Sequence, residues 1–212
     1  MQWTLVIPLK PLARAKSRLS DTAADGLRPG LALAFAQDTV AAALAGPAVG
    51  DVAVVTDDAL AARELAALGA RIVPGEPRGG LNAALAYGAE VVRAAHPESA
   101  VAALNADLPA LRPLELARVL DAAAEFPRAF LPDAAAIGTT LLAARPGQEL
   151  HPLFGTDSRA RHRASGAVEL RLAGVDSVRQ DVDTGEDLRV ALALGVGPQT
   201  AAATAGLLIG GQ

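Results

Sequence analysis

The stretch Ala100-Val101-Ala102-Ala103-Leu104-Asn105-Ala106-Asp107-Leu108-Pro109 constrains this chain more than any other. It opens as an uncharged apolar run, the pattern of a strand buried on both faces in a parallel sheet. Pro109 ends the ladder by removing a backbone donor, and Pro113 suits the first turn of a following helix. A carboxylate, Asp107, therefore stands where a buried strand stops and the chain turns back. Ligands of open α/β sheets bind outside the carboxyl ends of the strands. The plainer alternative is that Asp107 only shapes a turn, a frequent task for Asp.

The neighbouring pattern supports a parallel sheet. Apolar strands are expected at Trp3–Ile7, Val52–Val55 and Arg71–Val73. Helices are expected at Leu31–Leu44, Leu60–Leu68, Leu81–Ala95 and Leu114–Glu125, several closed by Gly or Pro. Such alternation implies βαβ units and an α/β fold. Strand-like stretches at Ala129–Leu131, Gly138–Ala143 and Ala167–Leu172 then crowd together, which suggests a mixed sheet with a small inserted lobe. Val178–Val182 reads as a short extended piece. Thr184 is expected to cap a last helix reaching Leu194, before an Ala/Gly-rich tail over 195–212. No linker or repeat divides the 212 residues, so one domain is expected. Hydrophobic residues make up 51% and aromatics only 3%, so the core must be built from Ala, Leu and Val.

Charge and residue usage narrow the function. A net charge of −4 argues against nucleic acid as a partner, so any bound anion must be met by a local basic cluster. There is no Cys, and the three His are far apart, which disfavours zinc and leaves a carboxylate-bound hard cation as the expected metal. The first apolar run precedes the basic residues, the reverse of a signal peptide. No uncharged run is long enough to span a bilayer unbroken. A soluble cytoplasmic protein is expected.

Four local clusters could hold chemistry. Lys10, Arg14, Lys16 and Arg18 follow the first strand, a concentration of cations that suits an anion, or else a solvated surface. Asp181 and Asp183 lie two apart near the last helix, where an extended backbone would point both to one side. If they meet Asp107, the set would hold Mg²⁺. The alternative is helix capping. Phe154-Gly155-Thr156-Asp157-Ser158 precedes a basic helix and offers close backbone approach and a helix start, or again a cap. Gly79-Gly80-Leu81-Asn82 opens another helix, and the Asn82 amide could read a base edge. His162 reads as a helix-surface residue rather than a general base.

In chain order, Val6-Ile7-Pro8-Leu9-Lys10-Pro11, Ala15-Lys16-Ser17-Arg18-Leu19, Gly80-Leu81-Asn82-Ala83-Ala84-Leu85, Ala106-Asp107-Leu108-Pro109, Phe154-Gly155-Thr156-Asp157-Ser158 and Asp181-Val182-Asp183-Thr184 resemble one family. It is the 2-phospho-L-lactate guanylyltransferase family of coenzyme F420 biosynthesis, which includes the phosphoenolpyruvate guanylyltransferases. The resemblance runs from Val6 to about Leu194. It implies a three-layer, GT-A/Rossmann-like nucleotidyltransferase fold with a mostly parallel mixed sheet and helices on both faces.

It also implies the reaction. GTP is joined to a three-carbon phosphoacid, with Mg²⁺ as cofactor and release of pyrophosphate. The acceptor is phosphoenolpyruvate or 2-phospho-L-lactate, and a downstream transferase would take the product. Carried onto this sequence, Lys16 and Asp107 are the catalytic candidates. Asp107 is the principal metal ligand, joined by Asp181 or Asp183. Thr140, placed ahead of its neighbour Thr139, forms the phosphoacid pocket with Gly155 and Ser158. Lys10, Lys16 and Arg18 face the triphosphate, and Gly80, Leu81 and Asn82 the nucleoside. Many members have Pro after the Asp-Val-Asp-Thr piece, where this chain has Gly185. A molybdopterin or sugar-phosphate nucleotidyltransferase is the nearest alternative, although those families usually begin with a Gly-rich loop. A GTP-binding protein without catalysis would have less use for three retained carboxylates.

Overall fold

The computed structural model describes residues 1–14 and 27–209. Its centre is a seven-stranded sheet. In chain order the strands are β1 (Trp3–Pro8), β2 (Val49–Val55), β3 (Arg71–Val73), β4 (Ala100–Leu104), β5 (Arg128–Pro132), β6 (Thr139–Ala144) and β7 (Val168–Glu169). Their spatial order is β3-β2-β1-β4-β6-β5-β7. β1 pairs in parallel with β2 and β4, β2 with β3, and β5 with β7. β6 is antiparallel to both of its neighbours, β4 and β5. That reversal brings the start of β6 to the edge where β1 and β4 end: Leu104 pairs with Leu141, and Thr139 with Pro132.

Side chains alternate across the sheet and separate two cores. Trp3, Leu5 and Ile7 of β1 join Ala102 and Leu104 of β4 on one face. The helices α1 (Arg28–Leu44), α2 (Ala59–Ala67) and α4 (Pro113–Ala123) cover that face. Val6, Val101, Ala103 and Phe130 point to the other face, under α3 (Leu81–Ala95). Gly88 lets α3 settle on the sheet. A Cβ there would stand 2.6 Å from Val6 Cγ1 and 2.7 Å from Val55 Cγ2. The result is helix, sheet, helix, the three-layer α/β architecture expected.

Several expectations are corrected. The strands after Phe130 complete the main sheet instead of forming an inserted lobe. The strand expected over Ala167–Leu172 shortens to β7, because only Val168 and Glu169 pair with β5. Before it lies α5 (Ser158–Ala164). Val178–Val182 is not extended. A short helix, α6 (Asp176–Arg179), leads into a loop. The Glu115 carboxylate holds that turn by accepting from the Ser177 N–H at 3.0 Å and hydroxyl at 2.8 Å.

The helix capped by Thr184, α7 (Gly185–Leu194), is followed by another, α8 (Pro198–Ile209). The Ala/Gly-rich tail is thus largely helical. Its first turn is secured by the buried Asp38 of α1, which accepts from the N–H groups of Gln199 (3.1 Å) and Thr200 (2.7 Å). Capping of this kind satisfies helix-end donors left without intrahelical partners.

Candidate active site

The carboxyl ends of β1 and β4 and the beginning of β6 open on one cavity of about 710 Å³. Lys10 enters it from the turn after β1, and Leu81 from the first turn of α3. Asn105, Ala106 and Asp107 form its floor beyond β4. Thr139 stands at the mouth of β6, Gly155 to Ser158 make a side wall, and Asp181 and Asp183 face in from the loop before α7.

A main-chain hydrogen bond joins the two acidic segments: the Val182 N–H donates to the Asp107 carbonyl at 3.0 Å. Asn105 Nδ2 lies 3.4 Å from Asp181 Oδ2 and strengthens the same junction. The turn beneath is fixed by α1, where the Thr39 hydroxyl accepts from the Leu108 N–H at 3.0 Å. On the other side Thr184 and Asp187 form a reciprocal capping box at the start of α7. Capping is therefore the work of Thr184 and Asp187, which leaves Asp183 to line the cavity with Asp181. The two acidic segments converge through loops, not through the late strand expected from the sequence.

Among the described residues, no three His, Asp or Glu side chains are grouped closely enough to hold a metal ion by themselves. The oxygen-only donors in the cavity do fit Mg²⁺. That ion takes one or two carboxylates and completes its shell with water and substrate phosphate oxygens.

The facing wall is pinned from behind. Asn82 Nδ2 donates to the Phe154 carbonyl at 3.1 Å, and Asn82 Oδ1 accepts from the Phe154 N–H at 2.7 Å. Arg161 also donates to that carbonyl, at 2.7 Å. Gly155 follows with φ +107°, a conformation open to Gly and unfavourable to other residues. Asp157 takes φ +54°, and the buried Ser158 then starts α5.

His162 departs most from the sequence reading. It is fully buried, not on the helix surface. Its Nδ1 lies 2.9 Å from Thr139 Oγ1, and its Nε2 accepts from the Leu153 N–H at 2.9 Å. Phe130 and Phe154 flank the ring, with centroids at 5.6 and 5.1 Å. Burial, reinforced by the positive Arg128 and Arg161 and by His151, pushes its pKa down to about 4.

The remaining candidates divide. Lys10, Leu81, Asp107, Gly155, Ser158, Asp181 and Asp183 share the cavity. Lys16 and Arg18 lie outside the described residues. The segment that leads to them starts from a fixed point, since Asp58 accepts from the Leu12 N–H at 2.9 Å. This bond and those from Ala61 and Leu60 at the start of α2 hold the Asp58 carboxyl below its usual pKa, against a smaller upward push from burial. Gly80 precedes α3 with φ +79° but is not part of the lining, and Asn82 sits behind the wall. Thr139, rather than Thr140, faces the cavity. The Thr140 hydroxyl is buried and finds no hydrogen-bond partner among the described residues. Sequence reasoning gave no role to Asn105, Asp133 or Ile137, which also line the site. A usable signal was Asp133 five residues ahead of Gly138, a loop closed when the carboxylate accepts the N–H groups of Ile137 and Gly138.

A family profile described as "Guanylyl transferase CofC like" matches residues 3–202. The chain belongs to this CofC-like guanylyl transferase family. The chain is similar to a phosphoenolpyruvate guanylyltransferase of Streptomyces coelicolor, 82% identical over the full length of both chains. Another, from Thermomonospora curvata, is 62% identical over 97% of this chain and 90% of its own. The CofC-like chain is a nucleotidyltransferase, and its fold agrees. A nucleotidyl transferase from Methanothermobacter superposes with a TM-score of 0.64 at 22% identity, covering 91% of this chain and 97% of its own. A protein described as a nucleotide-diphospho-sugar transferase from Desulfovibrio desulfuricans reaches a TM-score of 0.69 at 16% identity, covering 99% and 95%. The match through residue 202 takes the CofC-like region past α7 into α8.

Proposed function

We propose that the protein transfers the guanylyl group of GTP to phosphoenolpyruvate and releases pyrophosphate, a step of coenzyme F420 biosynthesis. The observation that supports this best is the hydrogen bond from Val182 to Asp107. It draws two acidic segments, distant in sequence, to the same rim as Lys10 and the Gly155–Ser158 wall. Phosphoenolpyruvate is favoured as acceptor because relatives spanning the whole chain bear that name.

A phosphate oxygen of the acceptor attacks the α-phosphorus of GTP, forming a new P–O bond. The bond from the α-phosphorus to the bridging oxygen breaks, and that oxygen leaves with pyrophosphate. The acceptor phosphate is already ionised near neutral pH, so no general base is needed. The demands are positioning and charge neutralisation. Asp107 with Asp181 or Asp183 would hold Mg²⁺, which when bound would supply positive charge against the repulsion of the two phosphorylated substrates. Lys10, with Lys16 and Arg18 from the following segment, neutralises the departing pyrophosphate. Gly155 and Ser158 receive the acceptor through a backbone held in place by Asn82.

The test is pyrophosphate release with GTP, Mg²⁺ and phosphoenolpyruvate, run beside 2-phospho-L-lactate and 3-phosphoglycerate, with the downstream transferase present to draw off product. Release with phosphoenolpyruvate is expected, with ATP, CTP and UTP much poorer donors. No release with any acceptor would defeat the proposal.

A further inference from the structure

Resting on that reading of the cavity, we propose that Thr139 is a specificity-determining donor to an anionic oxygen of the acceptor, and that His162 is the positioning residue that aims it. The argument begins at Leu153. A backbone N–H can only donate, so the ring nitrogen it meets, Nε2 of His162 at 2.9 Å, must be without a proton. A neutral imidazole then holds its single proton on Nδ1. Nδ1 lies 2.9 Å from Thr139 Oγ1, so the ring donates and the hydroxyl accepts. The hydroxyl proton of Thr139 is thereby directed away from the ring. Among the described residues it meets no other acceptor, while Thr139 itself lines the same cavity as Asp107.

The surroundings hold the ring in this state. His162 has no exposed surface, Phe130 and Phe154 flank it, and Arg128, Arg161 and His151 all oppose a second proton. One imidazole thus ties the mouth of β6 to the loop before Gly155 and also sets the polarity of a hydroxyl in the cavity wall. An outward-pointing donor bonds more strongly to a carboxylate or phosphate oxygen than to a neutral acceptor, and finds nothing to bond in a cationic donor group. The acceptor has both anionic groups.

The experiment has a kinetic arm and a spectroscopic arm. Thr139→Val keeps the shape and removes the hydroxyl, and Thr139→Ser restores it. The acceptor KM is expected to rise about ten- to hundredfold in Thr139→Val, the range of a hydrogen bond to a charged group. The GTP KM should stay near wild type, and Thr139→Ser should recover most of the loss. His162→Asn should show a milder rise in acceptor KM than His162→Gln, because Asn places its amide near Nδ1 and Gln near Nε2. A purely structural role would move both substrates' KM together. In the unaltered protein, ¹⁵N-edited NMR of the His162 ring should find the proton on Nδ1 at neutral pH.

An unchanged acceptor KM in Thr139→Val, or a proton found on Nε2, would overturn the inference. Absence of turnover in the unaltered protein would instead defeat the guanylyltransferase reading, and this inference with it.

Discussion

Asn82 separates two accounts of the same residue. Resemblance alone makes it a nucleoside contact, whereas the structure commits both ends of its amide to the Phe154 backbone, at 3.1 and 2.7 Å. In Asn82→Ala the Phe154 carbonyl keeps its bond from Arg161, but the Phe154 N–H loses its acceptor. A buried donor left unpaired costs about 1–3 kcal/mol. For a chain of this size each kcal/mol lowers Tm by about 2–4 °C, so a loss of roughly 4–8 °C is expected for a cost of about 2 kcal/mol. The released wall carries Gly155 and Ser158, so the acceptor KM should rise more than the GTP KM. Asn82→Asp can still accept from the N–H but sets a carboxylate against a carbonyl, and should be no better than Ala. Scanning fluorimetry with steady-state kinetics in both substrates measures all of this. An unchanged Tm with a rise confined to the GTP KM would refute the clamp and restore the nucleoside contact.

Other outcomes follow from particular contacts. Asp107→Asn should abolish pyrophosphate release at unchanged Tm, since Asn is nearly isosteric but lacks the charge for Mg²⁺; full turnover would remove Asp107 from the site. Gly88→Ala should destabilise by about 1–3 kcal/mol despite the better helix propensity of Ala, because the new methyl overlaps Val6 and Val55; a rise in denaturation midpoint would contradict that packing. His162 titrates near 4 when folded and near 6.5 when unfolded, so the unfolded chain takes the proton first. Its contribution is therefore complete above about pH 6.5 and fades as pH falls toward 4, by about 3 kcal/mol in all. Urea denaturation across that range should show the slope in the unaltered protein, and His162→Asn should reduce it.

The legible part of the site was the part written in contiguous residues. A buried strand running into Asp107 needs only an apolar run and a terminating Pro to be recognised. The Thr184 cap likewise depends on residues three apart. The burial of His162 and the pairing of Asn82 with Phe154 were not legible, because their partners, Thr139 with Leu153 in one case and Phe154 in the other, are distant in sequence or lie on other elements. A polar side chain satisfied by a remote backbone group leaves no local pattern.

The tail was misread for a similar reason. Ala and Gly give a weak helix signal, and the carboxylate that fixes α8, Asp38, is 161 residues from Gln199. The amino-acid order by itself determined the alternation of strand and helix, the aliphatic core and the family, since these rest on periodicity and on short ordered motifs. Only the tertiary structure decided which threonine faces the cavity, that His162 is buried, and that Asp181 and Asp183 come to Asp107. The place of Thr139 depends on β6 running against its neighbours, and the meeting of the acidic segments on a main-chain bond between loops; both are set by packing across the whole sheet.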